Sequence, residues 1–172
     1  MDIASMSESD IQEVKQIEKE CEVSSWSLLD YHNEIQRKDS LTFVVKETSQ
    51  VVGFIVARLI TSKPLTLPNS QKIESISKEA NQKFSESEIE IYNLAVKPNL
   101  QQKGIGQMLI NHLIEVTNEL YSRNIWLEVR EFNIKAVKFY EKNGFTKISR
   151  RKNFYNNPLE DGIIMNKTLT NY

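Results

Sequence analysis

Cysteine is nearly absent from this sequence, since Cys21 is the single one among 172 residues. One cysteine cannot form an internal disulfide, which favours a cytoplasmic protein. We expect Cys21 to be a small buried hydrophobic residue, because no base that would activate its thiol can be identified. Histidine is also scarce, with only His32 and His112, each on a predicted helix. No cluster of histidine, cysteine and carboxylates has metal-ligand spacing, so we predict no bound metal.

Long apolar runs and an excess of one charge are missing as well. The 22 basic and 23 acidic side chains give a net charge of −1. A nucleic-acid-binding protein would show a basic excess, so we predict no nucleic-acid partner. No apolar run is long enough to cross a membrane and no signal-peptide pattern is present, so we expect no membrane association. The length fits one domain over residues 1–172.

Glycine is rare too, yet two of the five glycines, Gly104 and Gly106, stand in one turn. A buried strand is predicted before this turn at Ile89–Val96, and an amphipathic helix follows the turn. A helix start presents unpaired N–H groups and the positive end of the helix dipole, and glycines let an anion approach the backbone. The turn therefore predicts a pyrophosphate site, with Lys103 as a nearby cation.

Two better-known phosphate loops do not fit this turn. A Gly-Lys-Ser/Thr sequence is absent, and Leu109 occupies the place of the third glycine of the dinucleotide motif. The alternative to a phosphate site is a plain strand-to-helix turn with glycines for packing.

The remaining pattern predicts a mixed α/β sheet with helices packed on it. Strands are predicted at 2–6, 41–47, 51–60, 125–130, 145–150 and 162–169, and helices at 10–21, 28–36 and 134–142. We expect Ser27 and Asn133 to cap the last two helices. The polar segment 61–88 is predicted to be a surface insertion, and a partner or oligomer contact is the alternative.

The turn and the C-terminal third carry a resemblance to a known family. The sequence Gln101-x-x-Gly104-x-Gly106 after a strand resembles the acetyl-CoA loop of the GNAT superfamily of N-acetyltransferases. Residues 126–145 look like the following strand and helix of that superfamily. One branch, the ribosomal-protein alanine N-acetyltransferases, is similar at three further segments, Trp26–Ser27, Arg151–Tyr155 and Glu160–Met165. The resemblance covers most of the chain except residues 61–88.

This resemblance implies a central sheet with two splayed parallel strands, and acetyl-CoA as the cosubstrate without a metal. Pantetheine would lie between the splayed strands, and its amides would bond to the backbone of Leu94, Ala95 and Val96. The diphosphate would bind the backbone N–H groups of Gln102, Lys103, Gly104, Ile105, Gly106 and Gln107. Asn133 would contact coenzyme A as well as cap its helix.

The resemblance also implies catalytic roles. Glu128 would be the general base, acting directly or through a water, and Tyr140 would be the general acid for the departing thiolate. From the residues alone, we would interpret Glu128 as a solvent-facing or salt-bridged strand carboxylate. Tyr140 could be a core residue, a role that Phe139 could also fill.

The acceptor is the least determined part of the reaction. The branch acetylates the N-terminal amine of a ribosomal protein, and Arg151 and Tyr155 would border the peptide groove. Trp26 is either a wall of the acceptor site or a packing anchor between two helices. A small amine is the alternative acceptor. The sequence departs from the branch at residues 61–88, which have no counterpart there, and at Glu131–Phe132, which replaces smaller residues, and both changes could alter the acceptor. A non-catalytic acyl-CoA-binding module is a further alternative.

Overall fold

The computed structural model describes residues 1–60, 87–120 and 122–169. Seven strands lie in these ranges, at Asp2–Ser5 (β1), Ser40–Glu47 (β2), Gln50–Ile60 (β3), Glu88–Val96 (β4), Asn124–Arg130 (β5), Thr146–Asn156 (β6) and Leu159–Thr168 (β7). The helices described are Ile11–Cys21 (α1), Leu28–Gln36 (α2), Ile105–Glu119 (α3) and Ile134–Lys142 (α4). The strands form one sheet in the order β1-β2-β3-β4-β5-β7-β6.

The predicted mixed sheet is confirmed by the strand directions. β4 and β5 pair in parallel, whereas β5 with β7 and β6 with β7 are antiparallel. The chain divides into two compact units, which we describe separately. Unit 1 comprises Met1–Leu59 and Tyr92–Val116, and unit 2 comprises the described residues of Ile60–Ile91 and Thr117–Tyr172. The single domain over 1–172 stays a prediction.

Unit 1 buries both faces of β2 and β3, which explains why these two strands are almost continuously apolar. Successive side chains of a strand point to opposite faces. One face, with Val44 and Phe54, packs in a core with residues of α1 and α2 such as Val14, Ile17 and Tyr31. On the other face, the ring of Phe43 meets His112 of α3 at a centroid distance of 4.5 Å. These helices therefore cover both faces of β2.

The β2–β3 hairpin turns through two residues without a glycine. Thr48 and Ser49 have φ angles of 48° and 67°, and Gln50 pairs with Glu47. Two consecutive left-handed residues match the twist of a tight hairpin, and the usual residues there are asparagine and glycine. The turn is thus one residue shorter than the sequence predicts.

Unit 2 holds α4 and the antiparallel strands β5, β7 and β6, together with the first part of β4. The parallel pairing of β4 with β5 runs from Glu88 and Asn124 to Ile91 and Leu127. The prediction for the last two strands was too short, because β6 continues to Asn156 and β7 already begins at Leu159. Most of β6 is exposed on both faces, so its sequence lacks the alternation that marks a half-buried strand.

The predicted insertion at 61–88 lies outside the described residues, apart from its last two positions. Ser87 is buried, and its carbonyl accepts a hydrogen bond from the Ser122 hydroxyl at 2.6 Å. Glu88 opens β4. In the part of the chain that is described, no helix is both long and apolar enough to span a membrane.

Candidate active site

The glycine turn of unit 1 has two left-handed residues shortly before a helix start. Gln102 and Gly104 both have positive φ angles, 63° and 88°. α3 begins directly after them at Ile105, and its first helical hydrogen bond runs from Met108 N to Gly104 O at 3.0 Å. The N–H groups of the first helical turn therefore precede the helical ladder. Alternating left-handed residues before a helix start turn successive N–H groups toward one side, which suits an anion.

Gly53 of β3 lies outside the turn, and its lack of a side chain lets the start of α3 lie close to the sheet. A Cβ at Gly53 would lie 3.0 Å from Ile105 Cγ2 and 3.2 Å from the carbonyl oxygen of Ala95. A larger residue at position 53 would push the first helical residue away. Gly53 was missed by sequence reasoning, because a glycine within a strand only signals that some backbone or side chain approaches it closely.

The end of β4 is fixed by contacts inside unit 1. The Val96 carbonyl accepts from Gln101 Nε2 at 3.1 Å and from the Cys21 thiol at 3.3 Å, and Lys97 N donates to Val52 O at 2.9 Å. Burial raises the pKa of the Cys21 thiol. Cys21 is half-buried against the core, which agrees with the packing role expected for it.

The sequence predicted three backbone contacts from β4 to the cofactor, at Leu94, Ala95 and Val96. All three lie beyond Ile91, the last residue of β4 that pairs with β5. They share unit 1 with the predicted diphosphate residues Gln102, Lys103, Gly104, Ile105, Gly106 and Gln107. The other three predicted site residues, Glu128, Asn133 and Tyr140, belong to unit 2.

Glu128 lies on β5, and its two carboxylate oxygens have different surroundings. Oε2 accepts a hydrogen bond from Arg151 Nη1 at 2.9 Å. Oε1 is buried and has no hydrogen-bond partner in the structure described. Burial raises the pKa of Glu128, the Arg151 guanidinium lowers it, and the charge of Glu90 raises it further, so that the pKa lies above its usual value. A carboxylate with a raised pKa and one unbonded oxygen can accept a proton.

Tyr155 of unit 2 interacts with this carboxylate, and Tyr140 in turn interacts with Tyr155. Tyr155 is half-buried, and burial together with the charge of Glu128 raises its pKa to about 12. Tyr140 is buried, and its ring packs edge-on against Phe139 and Phe145 at 5.2 and 5.5 Å. Burial, and then Tyr155, raises the pKa of Tyr140 above its usual value. Both phenols are therefore protonated at neutral pH, and Tyr155 interacts electrostatically with both Glu128 and Tyr140.

Asn133 caps α4 as the sequence predicts. Its side-chain oxygen accepts from Ala136 N at 3.1 Å, which stabilises the helix start. The chain just before Asn133 is fixed by Glu160 of β7. Its carboxylate accepts hydrogen bonds from Phe132 N at 2.6 Å and from Arg130 Nη1 at 3.0 Å. The guanidinium of Arg130 stacks on the Tyr155 ring at 4.2 Å, so Tyr155 is held by this network.

Trp26 occupies the position of a packing anchor in unit 1. Its ring lies 5.3 Å from that of Tyr31 and 6.4 Å from that of Tyr92. Glu18 accepts from Trp26 N at 2.8 Å and fixes the loop before α2. The Arg58 guanidinium stacks on Tyr92 at 4.4 Å and approaches Trp26 at 5.8 Å. These contacts support the packing interpretation of Trp26.

Comparison with known proteins agrees with this geometry. The model of the acetyltransferase (GNAT) family matches residues 11–145. A protein of Salmonella typhimurium named [ribosomal protein bS18]-alanine N-acetyltransferase is 42% identical over 83 residues, which are 45% of this chain and 54% of that protein. The matched region thus spans about half the length of that relative. A protein of Haemophilus influenzae with the same name is 28% identical over 166 residues, 95% of each chain.

A solved structure shows the same fold. Arabidopsis thaliana NAA60 in complex with acetyl-CoA superposes with a TM-score of 0.77 at 19% identity, over 98% of both chains. The family match covers most of the chain, and the sheet has the expected mixed order. The fold is therefore that of an acetyltransferase, and the chain belongs to the GNAT family. The resemblance seen in the sequence is confirmed.

Proposed function

We propose that this protein transfers an acetyl group from acetyl-CoA to a primary amine, with the N-terminal α-amine of a protein as the acceptor. Glu128 is the observation that carries the proposal, because its raised pKa and its unbonded Oε1 suit a proton acceptor. The names of the two bacterial relatives support a protein acceptor, with a ribosomal protein as the first candidate. The single cysteine favours a cytoplasmic location for the reaction.

Open space beside the glycine turn supports a diphosphate site there. A Cβ at Gly104 would meet no atom within 4 Å, so the space beside its backbone is open. The N–H groups from Gln102 to Gln107 would hold the diphosphate, and Lys103 would add positive charge. The backbone of Leu94–Val96 would hydrogen-bond the pantetheine amides. Acetyl-CoA supplies an activated acetyl group as a thioester.

Glu128 then has to take a proton from the acceptor. An α-amino group has a pKa near ~8 and arrives mainly as an ammonium ion, which cannot attack a thioester. Glu128 accepts this proton, directly or through a water, and the amine nitrogen forms a bond to the acetyl carbon. As the bond from that carbon to sulfur breaks, the Tyr140 hydroxyl donates its proton to the thiolate. The nitrogen gives up its second proton as the amide forms, and a proton returns through solvent to the Tyr140 oxygen. The products are an amide and free coenzyme A, and the proton held by Glu128 is released to water.

The test is a transfer assay on the full chain, using acetyl-CoA with peptides that bear a free N-terminal alanine and, separately, with small amines. We expect peptide acetylation, and a fall of about 10²–10⁴-fold in kcat/KM for Glu128→Gln with unchanged acetyl-CoA affinity. Glu131→Gln is the matched control, because Glu131 is a nearby carboxylate that pairs with Arg150 instead. Acetylation of small amines alone would contradict the peptide acceptor, and binding of acetyl-CoA with no turnover would contradict the enzyme.

A further inference from the structure

Gly162 lies where three strands meet in register. On β7 it is opposite Arg130 of β5 on one side and Arg151 of β6 on the other. Glu128 precedes Arg130 by two residues, so both side chains lie on one face of β5. The residue opposite Glu128 is Ile164, which makes Gly162 its diagonal neighbour on β7. A glycine therefore occupies the β7 position between the two arginines.

The Glu128 side chain uses this gap to cross β7. Two strands that flank a third are about 10 Å apart, yet Glu128 Oε2 lies 2.9 Å from Arg151 Nη1. A Cβ at Gly162 would lie 2.1 Å from Glu128 Oε1 and 3.0 Å from its Cδ. Any side chain at position 162 would occupy the path that the carboxylate takes. The pair with Arg151 therefore depends on the missing side chain.

Contacts of β6, on the other side of β7 from Glu128, complete this arrangement. The Arg151 guanidinium stacks on the Phe154 ring at 4.0 Å, which restrains its position. Asn153, with a φ of 53°, lies where the β6–β7 register shifts, between Arg151 and Tyr155. Asn153 N donates to Asp161 Oδ1 at 2.8 Å and anchors this bulge. The bulge thus lies directly after Arg151 and includes Phe154, on which Arg151 stacks.

We propose that Gly162 and Arg151 are positioning residues for Glu128: the missing side chain at position 162 lets the carboxylate cross β7 and pair with Arg151. This inference rests on the proposed role of Glu128 as the general base. Among the described residues, the charged and titratable groups that act on the carboxylate are Arg151 and Tyr155 of β6 and Glu90 of β4, whereas Arg130 on the same face of β5 pairs with Glu160. Arg151 is the cation that donates to it, so loss of Arg151 leaves burial and Glu90 to raise its pKa.

The experiment is a double-mutant cycle on the pKa of Glu128, measured by ¹³C NMR on the full chain with labelled glutamate and assigned with Glu128→Gln. We expect Arg151→Met to raise this pKa by about one pH unit in the protein with Gly162. In the Gly162→Ala background the pair is already broken, so the same change should move the pKa by less than a third as much. Arg150→Met is the matched control, because Arg150 pairs with Glu131 and Asp161.

Equal shifts in both backgrounds, or no shift in the protein with Gly162, would overturn the proposal. The clash in Gly162→Ala falls on the end of a flexible side chain, so we expect that variant to fold with the carboxylate displaced. If it does not fold, Glu128→Asp replaces it, because a side chain one methylene shorter cannot cross β7. Arg151→Met should then leave the aspartate pKa unchanged, and a shift there would refute the crossing.

The titration requires no acetyl transfer, so it separates this inference from the proposed function. A protein without transferase activity can still show the coupled pKa shifts. Conversely, if Glu128 is the base, Arg151→Met should move the acidic limb of the kcat/KM profile to higher pH with Gly162 present. The limb should stay in place when Gly162→Ala is present. A limb that moves equally in both backgrounds would show that Gly162 does not act through the pair.

Discussion

Arg58 donates to both carboxylate oxygens of Glu34 from its Nε at 2.9 and 3.2 Å, and the Glu34 side chain is only 2% exposed. The same carboxylate accepts from the Ser40 hydroxyl at 2.7 Å. Its charge is therefore compensated inside unit 1 by one guanidinium and one hydroxyl. The Arg58 guanidinium in turn stacks on Tyr92, so this ion pair joins α2, β3 and β4.

We expect Arg58→Met to lower the free energy of unfolding by about 3 kcal/mol, because it leaves a buried carboxylate without its cation. Arg37→Met is the control, since Arg37 pairs with Asp39 at 2.7 Å in a partly exposed setting. Exposed pairs contribute about 1 kcal/mol or less. Urea unfolding curves of both variants measure the difference. Equal losses would show that burial of Glu34 does not determine the strength of its ion pair.

Asp10 is a second buried carboxylate, and its shifted pKa makes the stability of the protein depend on pH. Its side chain is 5% exposed and lies 2.6 Å from Lys46 Nζ. Burial alone raises the pKa of Asp10, but hydrogen bonds from Lys46 and Ser7 outweigh burial and hold the pKa below its usual value. A lowered folded pKa stabilises the protein above the unfolded value of about 3.9, and this stabilisation is lost as the pH falls through the folded pKa.

Asp10→Asn should therefore destabilise the protein at pH 7, and its difference from the unchanged protein should shrink below about pH 4. Urea midpoints of both proteins at several pH values measure this. Lys46→Met should remove much of the same acid-dependent stability, because it takes away the main hydrogen-bond donor to Asp10. A difference between the two proteins that stays constant with pH would contradict the lowered pKa.

The sequence predicted best where a local signal exists. Ser27 and Asn133 are found as the caps of α2 and α4, and both helices have the predicted bounds. A cap acts within three residues, so it can be identified without knowing the fold. The direction of β5 beside β4 was also predictable, because a helical crossover requires parallel strands. The predicted strand was shorter than β6, because an exposed edge strand does not alternate between apolar and polar residues.

The surroundings of the candidate catalytic residues could not be predicted in the same way. Glu128 meets Arg151 only because β5, β7 and β6 have one particular register, and no local pattern fixes a register across three strands. Gly162 appeared in the sequence as the start of a strand, although it lies inside β7. The pKa of Glu128 depends on these neighbours, so its chemistry required the structure.

Alanine substitutions at Gly104 and Gly144 can separate an effect on acetyl-CoA binding from an effect on protein stability. Gly104 and Gly144 have similar left-handed φ angles, 88° and 82°. An alanine at either position costs on the order of 1 kcal/mol of unfolding free energy through backbone strain. Only Gly104 lies in the proposed diphosphate site, where a methyl group would enter the open space beside the backbone.

We therefore expect Gly104→Ala to weaken acetyl-CoA binding at least tenfold, about 1.4 kcal/mol. Gly144→Ala should bind with unchanged affinity although its stability falls at least as much, because a Cβ at position 144 would also lie 2.7 Å from Lys167 Nζ. Isothermal titration with acetyl-CoA measures the affinities, and thermal unfolding measures the stabilities. Equal weakening in both variants would assign the effect to strain, and no weakening in Gly104→Ala would place the diphosphate elsewhere.

Tyr140→Phe tests the proposed acid while keeping the ring that packs between Phe139 and Phe145. If the Tyr140 hydroxyl protonates the departing thiolate, kcat should fall about 10²–10⁴-fold while the affinity for acetyl-CoA stays the same. Tyr31→Phe is the matched control, because it removes a hydroxyl from a fully buried ring of unit 1. An acyl donor with a more acidic thiol should restore part of the rate in Tyr140→Phe, because such a thiolate departs without a proton. An unchanged kcat in Tyr140→Phe would leave Tyr140 as a packing residue, and Tyr155, also protonated at neutral pH, would be the next acid to test.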